Sequence, residues 1–76
     1  MNEYNLEVIS ERIRLARQRA GLTQKEFAER LGISKRTIET LEKAKNGPSA
    51  YVLFMIAYKF RVSANWILGV TEKVEA

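Results

Sequence analysis

Between Gln24 and Leu41, three residues stand at separations that few folds tolerate. Ala28 lies within an apolar-patterned segment, Gly32 follows it by four positions, and Ile38 follows Gly32 by six. Leu31, Ile33 and Leu41 fill the remaining inward positions. Two helices that cross at roughly 90–120° over a turn of about three or four residues approach each other closely. The first must be small at the crossing, which Ala28 satisfies. The turn needs a residue free to adopt positive φ, which Gly32 satisfies. Ile38 then anchors the second helix to a shared core.

The rest of the chain is helical in pattern and divided into short segments. Ile9, Ile13, Ala16 and Ala20 form one stripe of a first helix that Gly21 ends. Thr23 with Glu26 reads as a capping box opening a second helix, with Phe27, Ala28 and Leu31 inward and Gly32 closing it. Ser34 caps a third helix running from about Lys35 to Ala44, with Ile38 and Leu41 inward. Asn46-Gly47-Pro48-Ser49 is the clearest break, followed by a fourth helix with Leu53, Ile56, Ala57 and Phe60 on one face. Ser63 caps a fifth carrying Trp66, Ile67 and Leu68, which Gly69 stops. No segment alternates as a strand would. Five short helices in 76 residues predict a compact all-α domain around one core.

Charge is unevenly placed. The net charge is +4, but between Arg12 and Arg61 there are twelve basic residues and four acids, a local +8, while the flanks carry −4. A basic middle between acidic ends points to a polyanionic partner on one face, or to a salt-bridged helical surface. Cysteine and histidine are both absent and every acid is Glu. This removes disulfides, the usual zinc ligands, thiol nucleophiles and imidazole bases. The pairs Glu26/Glu29 and Glu39/Glu42 could set two carboxylates on one helix face, but no pocket or phosphate loop accompanies them, so no enzyme, cofactor, metal or small-molecule substrate is expected. Arg12, Arg14, Arg17 and Arg19 would suit a membrane-surface helix, except that its apolar face is needed for the core. The acidic start does not resemble a signal peptide. The longest apolar run, Ala50 to Tyr58, is nine residues against the ~20 that span a bilayer. A cytoplasmic location without membrane attachment is therefore expected.

The chain resembles the helix-turn-helix domains of the phage-repressor (Cro/cI, or XRE) family from roughly Glu7 to Gly69. The matching residues are Arg12-Ile13-Arg14 with Arg17, Gly21-Leu22-Thr23-Gln24, Phe27 through Ser34, Ile38, Leu41-Glu42, Pro48-Ser49, Ile56-Ala57, Val62-Ser63 and Trp66 through Gly69. The resemblance implies a five-helix, lambda-repressor-like DNA-binding domain over residues 7–69, with short tails at 1–6 and 70–76. It makes helices two and three the helix-turn-helix and helix three the recognition helix. It also implies a sequence-specific regulator of transcription, a repressor binding a two-fold operator in double-stranded DNA as a homodimer. Where the family often has Glu, any residue, then Gly, this chain reads Glu42-Lys43-Ala44, so a differently shaped exit loop is expected.

At roughly 100° per residue, Ile38 and Leu41 set the inward direction of the third helix, and Arg36, Glu39, Thr40 and Lys43 point away from it. Lys35 lies on the flank of the first turn, where such helices reach base edges, and with Arg36, Glu39 and Thr40 it makes up the base-contact candidates. Arg and Lys donate to guanine, Thr donates, accepts or offers a methyl group, and Glu accepts from cytosine. Lys35, Glu39 and Lys43, spaced four apart, could equally form surface ion pairs. By the resemblance, Gln24 contacts phosphate and braces the recognition helix, and Arg17 forms a largely buried ion pair with Glu42. Lys25, Thr37, Lys43, Lys45 and Asn46 are further phosphate-contact candidates. Phe54, Met55, Tyr58, Trp66 and Ile67, with Val70 and Val74 nearby, are more apolar groups than one small core can hold, so a second copy is expected there. The alternative is an antitoxin or adaptor-type interaction module on the same scaffold. The basic exposed side of the third helix favours DNA.

Overall fold

The structure, a computed structural model, describes residues 3–76. Met1 and Asn2, which begin the expected N-terminal tail and the start read as lacking a signal peptide, lie outside the described residues. Five helices follow in order: α1 (Leu6–Arg19), α2 (Gln24–Leu31), α3 (Lys35–Glu42), α4 (Ala50–Phe60) and α5 (Ala64–Ile67). Each begins on a polar cap, namely Asn5, Thr23, Ser34, Ser49 and Ser63, whose side-chain oxygen accepts from a backbone N–H of the first turn. At α2 the box is reciprocal: Glu26 N–H donates to Thr23 Oγ1 at 3.1 Å, and Thr23 N–H donates to Glu26 Oε1 at 2.9 Å. The hydrogen bond from the Thr23 backbone, reinforced by its side chain, holds the Glu26 carboxyl below its ordinary range. No helix among the described residues is long and apolar enough to cross a membrane.

The core joins Ile9, Ile13 and Ala16 of α1 to Phe27, Ala28 and Leu31 of α2, Ile38 and Leu41 of α3, Val52 and Ile56 of α4, and Val62, Trp66 and Ile67. Phe27 meets Phe60 at 5.1 Å between ring centres. Ala28 is buried at the crossing of α2 and α3, where a larger side chain would push the helices apart.

Four expectations need correction. Ala20 is exposed, because it caps α1 and falls outside the inward stripe, which ends at Ala16. The third helix ends at Glu42, with Lys43 as its cap. On α4 the fully buried residues are Val52 and Ile56, while Leu53, Ala57 and Phe60 are half-buried. Periodicity cannot choose a face in a segment apolar all round. Trp66 and Ile67 lie in the core, 7% and 0% exposed, so neither is available to a second copy.

Residues 70–76, expected as a tail, turn back onto the body. Ser63 N–H donates to Val74 C=O at 2.8 Å, and Val62 and Glu75 form an antiparallel bridge. Arg12 fastens this segment. Its Nη1 donates to Trp66 C=O at 2.6 Å and Thr71 C=O at 2.9 Å, and its Nη2 to Glu72 Oε1 at 3.0 Å. The same guanidinium lies 5.3 Å from the centre of the Trp66 ring.

Candidate nucleic-acid interface

The turn between α2 and α3 is three residues long, Gly32, Ile33 and Ser34. Gly32 has φ +71, and Ile33 N–H reaches back to Ala28 C=O at 3.0 Å, which closes α2 and reverses the chain. Ser34 then caps α3 through Thr37 N–H at 3.1 Å. With Ile38 fully buried against α2, the opposite side of α3 must face solvent.

Glu42 fixes the far end of α3. Its side chain is 3% exposed, and it takes hydrogen bonds from Arg17 Nε to Oε2 at 2.7 Å and from Arg17 Nη2 to Oε1 at 3.0 Å. Gln24 Nε2 adds a third, to Oε1 at 3.1 Å. Arg17 also donates from Nη1 to Leu22 C=O at 3.0 Å. The hydrogen bonds to Glu42 raise the Arg17 guanidinium above its already high ordinary range. The structure thus brings Arg17, Gln24 and Glu42 into one cluster joining α1, α2 and α3. Gln24 braces α3 directly and keeps a second amide N–H for another acceptor.

The exit from α3 is closed by a paired set of backbone bonds, Ala44 N–H to Leu41 C=O and Lys45 N–H to Thr40 C=O, both at 3.2 Å. This closure needs a left-handed residue after the cap, and Ala44 supplies it at φ +58. Glu42-Lys43-Ala44 thus closes α3 with alanine in the left-handed position. Alanine is held in the conformation that glycine would adopt without strain. Gly47 answers a different need, since a Cβ there would meet the Tyr4 hydroxyl.

The remaining candidates lie along the outer side of α3 and its exit. Lys35, Arg36, Thr37, Lys43, Lys45 and Asn46 are exposed, and Glu39 and Thr40 are half-buried. Lys25 is exposed at the start of α2. Lys35 Nζ lies 3.7 Å from Glu39 Oε2, an exposed ion pair of the kind worth ~0.3–0.5 kcal/mol. Thr40 Oγ1 donates to Arg36 C=O at 2.9 Å, which leaves its lone pairs and methyl group to face a partner. Thr37 Oγ1 shares a hydrogen with Ser34 Oγ at 2.8 Å. A cleft of about 330 Å³ between α3 and the start of α4 is lined by Arg36, Thr37, Thr40, Asn46 and Ser49 among others.

Ion pairing sets α1 apart from the rest of the chain. All four arginines of α1 meet a carboxylate: Arg12 with Glu72, Arg14 with Glu11 and Glu42, Arg17 with Glu42, and Arg19 with Glu75. Among the described residues, Lys25, Arg30, Arg36, Lys43, Lys45, Lys59, Arg61 and Lys73 meet none within 4.0 Å, and of these Lys25, Arg36, Lys43 and Lys45 lie at the start of α2, on α3 and along its exit. Glu11, Glu42, Glu72 and Glu75 thus pair the α1 arginines, while basic residues without a carboxylate remain at the start of α2, on α3 and along its exit, as well as at Arg30, Lys59, Arg61 and Lys73. Sequence reasoning gave no role to Arg12 in holding the C-terminal segment or to Arg14 at the end of α3. Both flank the inward stripe of α1, and that position is the signal that could have found them.

These features define a helix-turn-helix domain: two short helices crossing over a three-residue turn, the second pinned at its far end with a basic outer side. The sequence profile of a family described as helix-turn-helix matches residues 13–67, and the chain belongs to that family. It is 34% identical over 64 residues to the HTH-type transcriptional regulator ImmR of Bacillus subtilis, a match covering 84% of this chain and 50% of ImmR. It is 37% identical over 62 residues to the HTH-type transcriptional regulator for conjugative element SXT of Vibrio cholerae, covering 82% of this chain and 28% of that protein. The chain therefore spans half the length of the first relative and less than a third of the second. Among solved structures it is similar in fold to the P22 c2 repressor protein, crystallised with synthetic operator 9T in the presence of thallium. The TM-score is 0.75 at 22% identity, covering 83% of this chain and 96% of that one.

Proposed function

We propose that this chain is a sequence-specific, double-stranded DNA-binding regulator of transcription that acts as a repressor in the cytoplasm without catalysis or cofactor. The observation that carries the reading is a helix-turn-helix whose second helix is pinned at Glu42 and presents unpaired basic residues on its outer side. Lys25, Arg36, Lys43 and Lys45, at the start of α2, on α3 and along its exit, have no carboxylate partner, while the α1 arginines are paired. The relatives named as transcriptional regulators, and the repressor–operator complex that shares the fold, support it. In this reading α3 enters the major groove. Arg36 and Thr40 read base edges, joined by Lys35 and Glu39 when their ion pair opens. Gln24, Lys25, Thr37, Lys43, Lys45 and Asn46 hold phosphate oxygens.

The domain acts as a two-fold dimer through α4, where Phe54 and Tyr58 stack at 5.7 Å with 60% and 70% of their surfaces exposed, beside half-buried Met55. Selection of bound duplexes from a random pool, followed by footprinting, tests the reading. Enrichment of an inverted repeat supports it. Recovery of no sequence preference, at a salt concentration where binding persists, would leave the interaction-module reading as the better one.

A further inference from the structure

The α1 arginines differ in what they hold. Arg17 takes the carboxylate of Glu42, whereas Arg14, one turn earlier on the same helix, takes the main chain of the same residue. Its Nη2 donates to Glu42 C=O at 2.7 Å. Its Nη1 is held by Glu11 Oε1 at 2.8 Å, and its Nε lies 3.8 Å from Glu42 Oε1. The last carbonyls of a helix have no partner within it. At the end of α3, Thr40 C=O receives Lys45 N–H and Leu41 C=O receives Ala44 N–H, so Glu42 C=O is left to an external donor. Arg14 is that donor. The residue it grips lies two before Ala44, the strained left-handed position from which Lys45 and Asn46 leave α3.

We infer that Arg14 is a positioning residue for DNA binding: by holding Glu42 C=O it fixes the exit of α3 and so the place of Lys43, Lys45 and Asn46. This rests on the reading of α3 and its exit as the DNA face. Arg14 itself acts through the loop. Its guanidinium is engaged by Glu11 and Glu42, and its part in binding is geometric rather than a matter of its charge. Ala44 makes the grip necessary, because an alanine at φ +58 tends to relax out of that conformation, and relaxation moves every residue that follows. The Arg14 fork and the Ala44 backbone are therefore coupled.

The test uses Arg14→Lys, which keeps the charge and loses the planar fork, alone and combined with Ala44→Gly. Binding is measured, well below the melting temperature, to a duplex the unaltered chain selects from a random pool and to its scrambled version, over a series of salt concentrations. Arg14→Lys should weaken binding to both duplexes and lower the salt slope by about one for each phosphate that the displaced loop no longer reaches. Adding Ala44→Gly, which removes the reason the exit relaxes, should restore most of the slope. If Arg14→Lys matches the unaltered chain in affinity and slope, Arg14 is not a positioning residue, whatever its effect on melting. If the affinity falls with the slope unchanged and Ala44→Gly does not restore it, the positioning is again refuted. An unaltered chain that binds no duplex at all refutes the DNA reading itself, and this inference with it.

Discussion

Glu42 carries more of the architecture than any other polar residue of the domain. A carboxylate 3% exposed survives in the interior because Arg17, Gln24 and Arg14 surround it, and no buried side-chain nitrogen or oxygen among the described residues lacks a partner. Removing Arg17 leaves that charge to Gln24 and the longer Arg14 contact, and Arg17→Met should destabilise by up to ~3–5 kcal/mol. In a domain of this size the full loss lowers the melting temperature by roughly 10 °C or more. Glu42→Gln should do less harm, since Gln24 and Arg17 keep an oxygen to bond and Arg17 has some access to water. Equal melting of both variants and the unaltered chain would refute the pair's role. Because Arg17 is raised above its ordinary range, its contribution is fully present below that range and is lost only as pH rises through the raised value. From the arginine side the pair is thus insensitive to pH in working buffers. On the outer side of α3, Arg36→Ala or Thr40→Ala should cost ~1–3 kcal/mol and relax preference at one base pair per half-site. Lys43→Ala or Lys45→Ala should weaken binding to every sequence and reduce the salt slope by about one. Binding to matched and scrambled duplexes at two salt concentrations separates the two sets.

At the scale of elements, the same helix closure recurs after α1, α2 and α5, on Gly21, Gly32 and Gly69, and α3 closes it on Ala44 instead. Left-handed alanine is strained by ~1–2 kcal/mol. Glycine loosens the unfolded chain by ~0.4–1 kcal/mol. Ala44→Gly should therefore stabilise by about 0.5–1 kcal/mol, read as a rise of roughly 2–8 °C in melting temperature. A fall would mean that the loop does not hold this conformation in solution. The cap of α2 contributes to the pH dependence. The Glu26 carboxyl is lowered, so its stabilisation is present above the ordinary carboxylate range and is lost as pH falls through the lowered value. Glu26→Gln should flatten the acid limb of a melting-temperature profile, and an unchanged limb would place that titration elsewhere. Elements of this kind are legible in the residues because caps and glycines are local chemistry: five helices, the starts of the last four, and the crossing at Ala28 follow from short spacings, and Asn5 as the cap of α1 is not among them. The Ala44 closure is not legible, since nothing in its composition says that backbone bonds to Leu41 and Thr40 will hold it left-handed. The inward face of α4 is hidden for the opposite reason, an excess of apolar residues with no polar side to orient them. Among the candidate site residues, the outer side of α3 follows from two inward anchors, whereas the Arg14 and Arg12 contacts join positions 28 to 60 residues apart and belong to tertiary geometry alone.

At the scale of the whole molecule, core and interface compete for the same apolar supply. With Trp66 and Ile67 in the core, the exposed apolar residues include Tyr4, Leu15 and Val70, and those gathered on one helix face are Tyr51, Phe54 and Tyr58 of α4, the last two stacked on each other. Beside them a shallow cleft of about 400 Å³ is lined by Phe54, Ala57, Tyr58, Val62 and Asn65. Aromatic anchors beside a pocket are the arrangement that concentrates binding energy at protein interfaces. A two-fold dimer of such domains would set half-sites at ~34–36 Å, one turn of the duplex. The face is spared by the core, so Phe54→Glu combined with Tyr58→Glu should leave the melting temperature of the monomer nearly unchanged while abolishing self-association in sedimentation at micromolar concentration. The same variant should bind a single half-site as well as before and lose its advantage on the inverted repeat, because the second half-site is no longer delivered by the first. If the double variant still sediments as a dimer, the copies meet elsewhere. If the unaltered chain is monomeric both free and on the inverted repeat, α4 is not a self-association surface, and its aromatic face awaits a different protein.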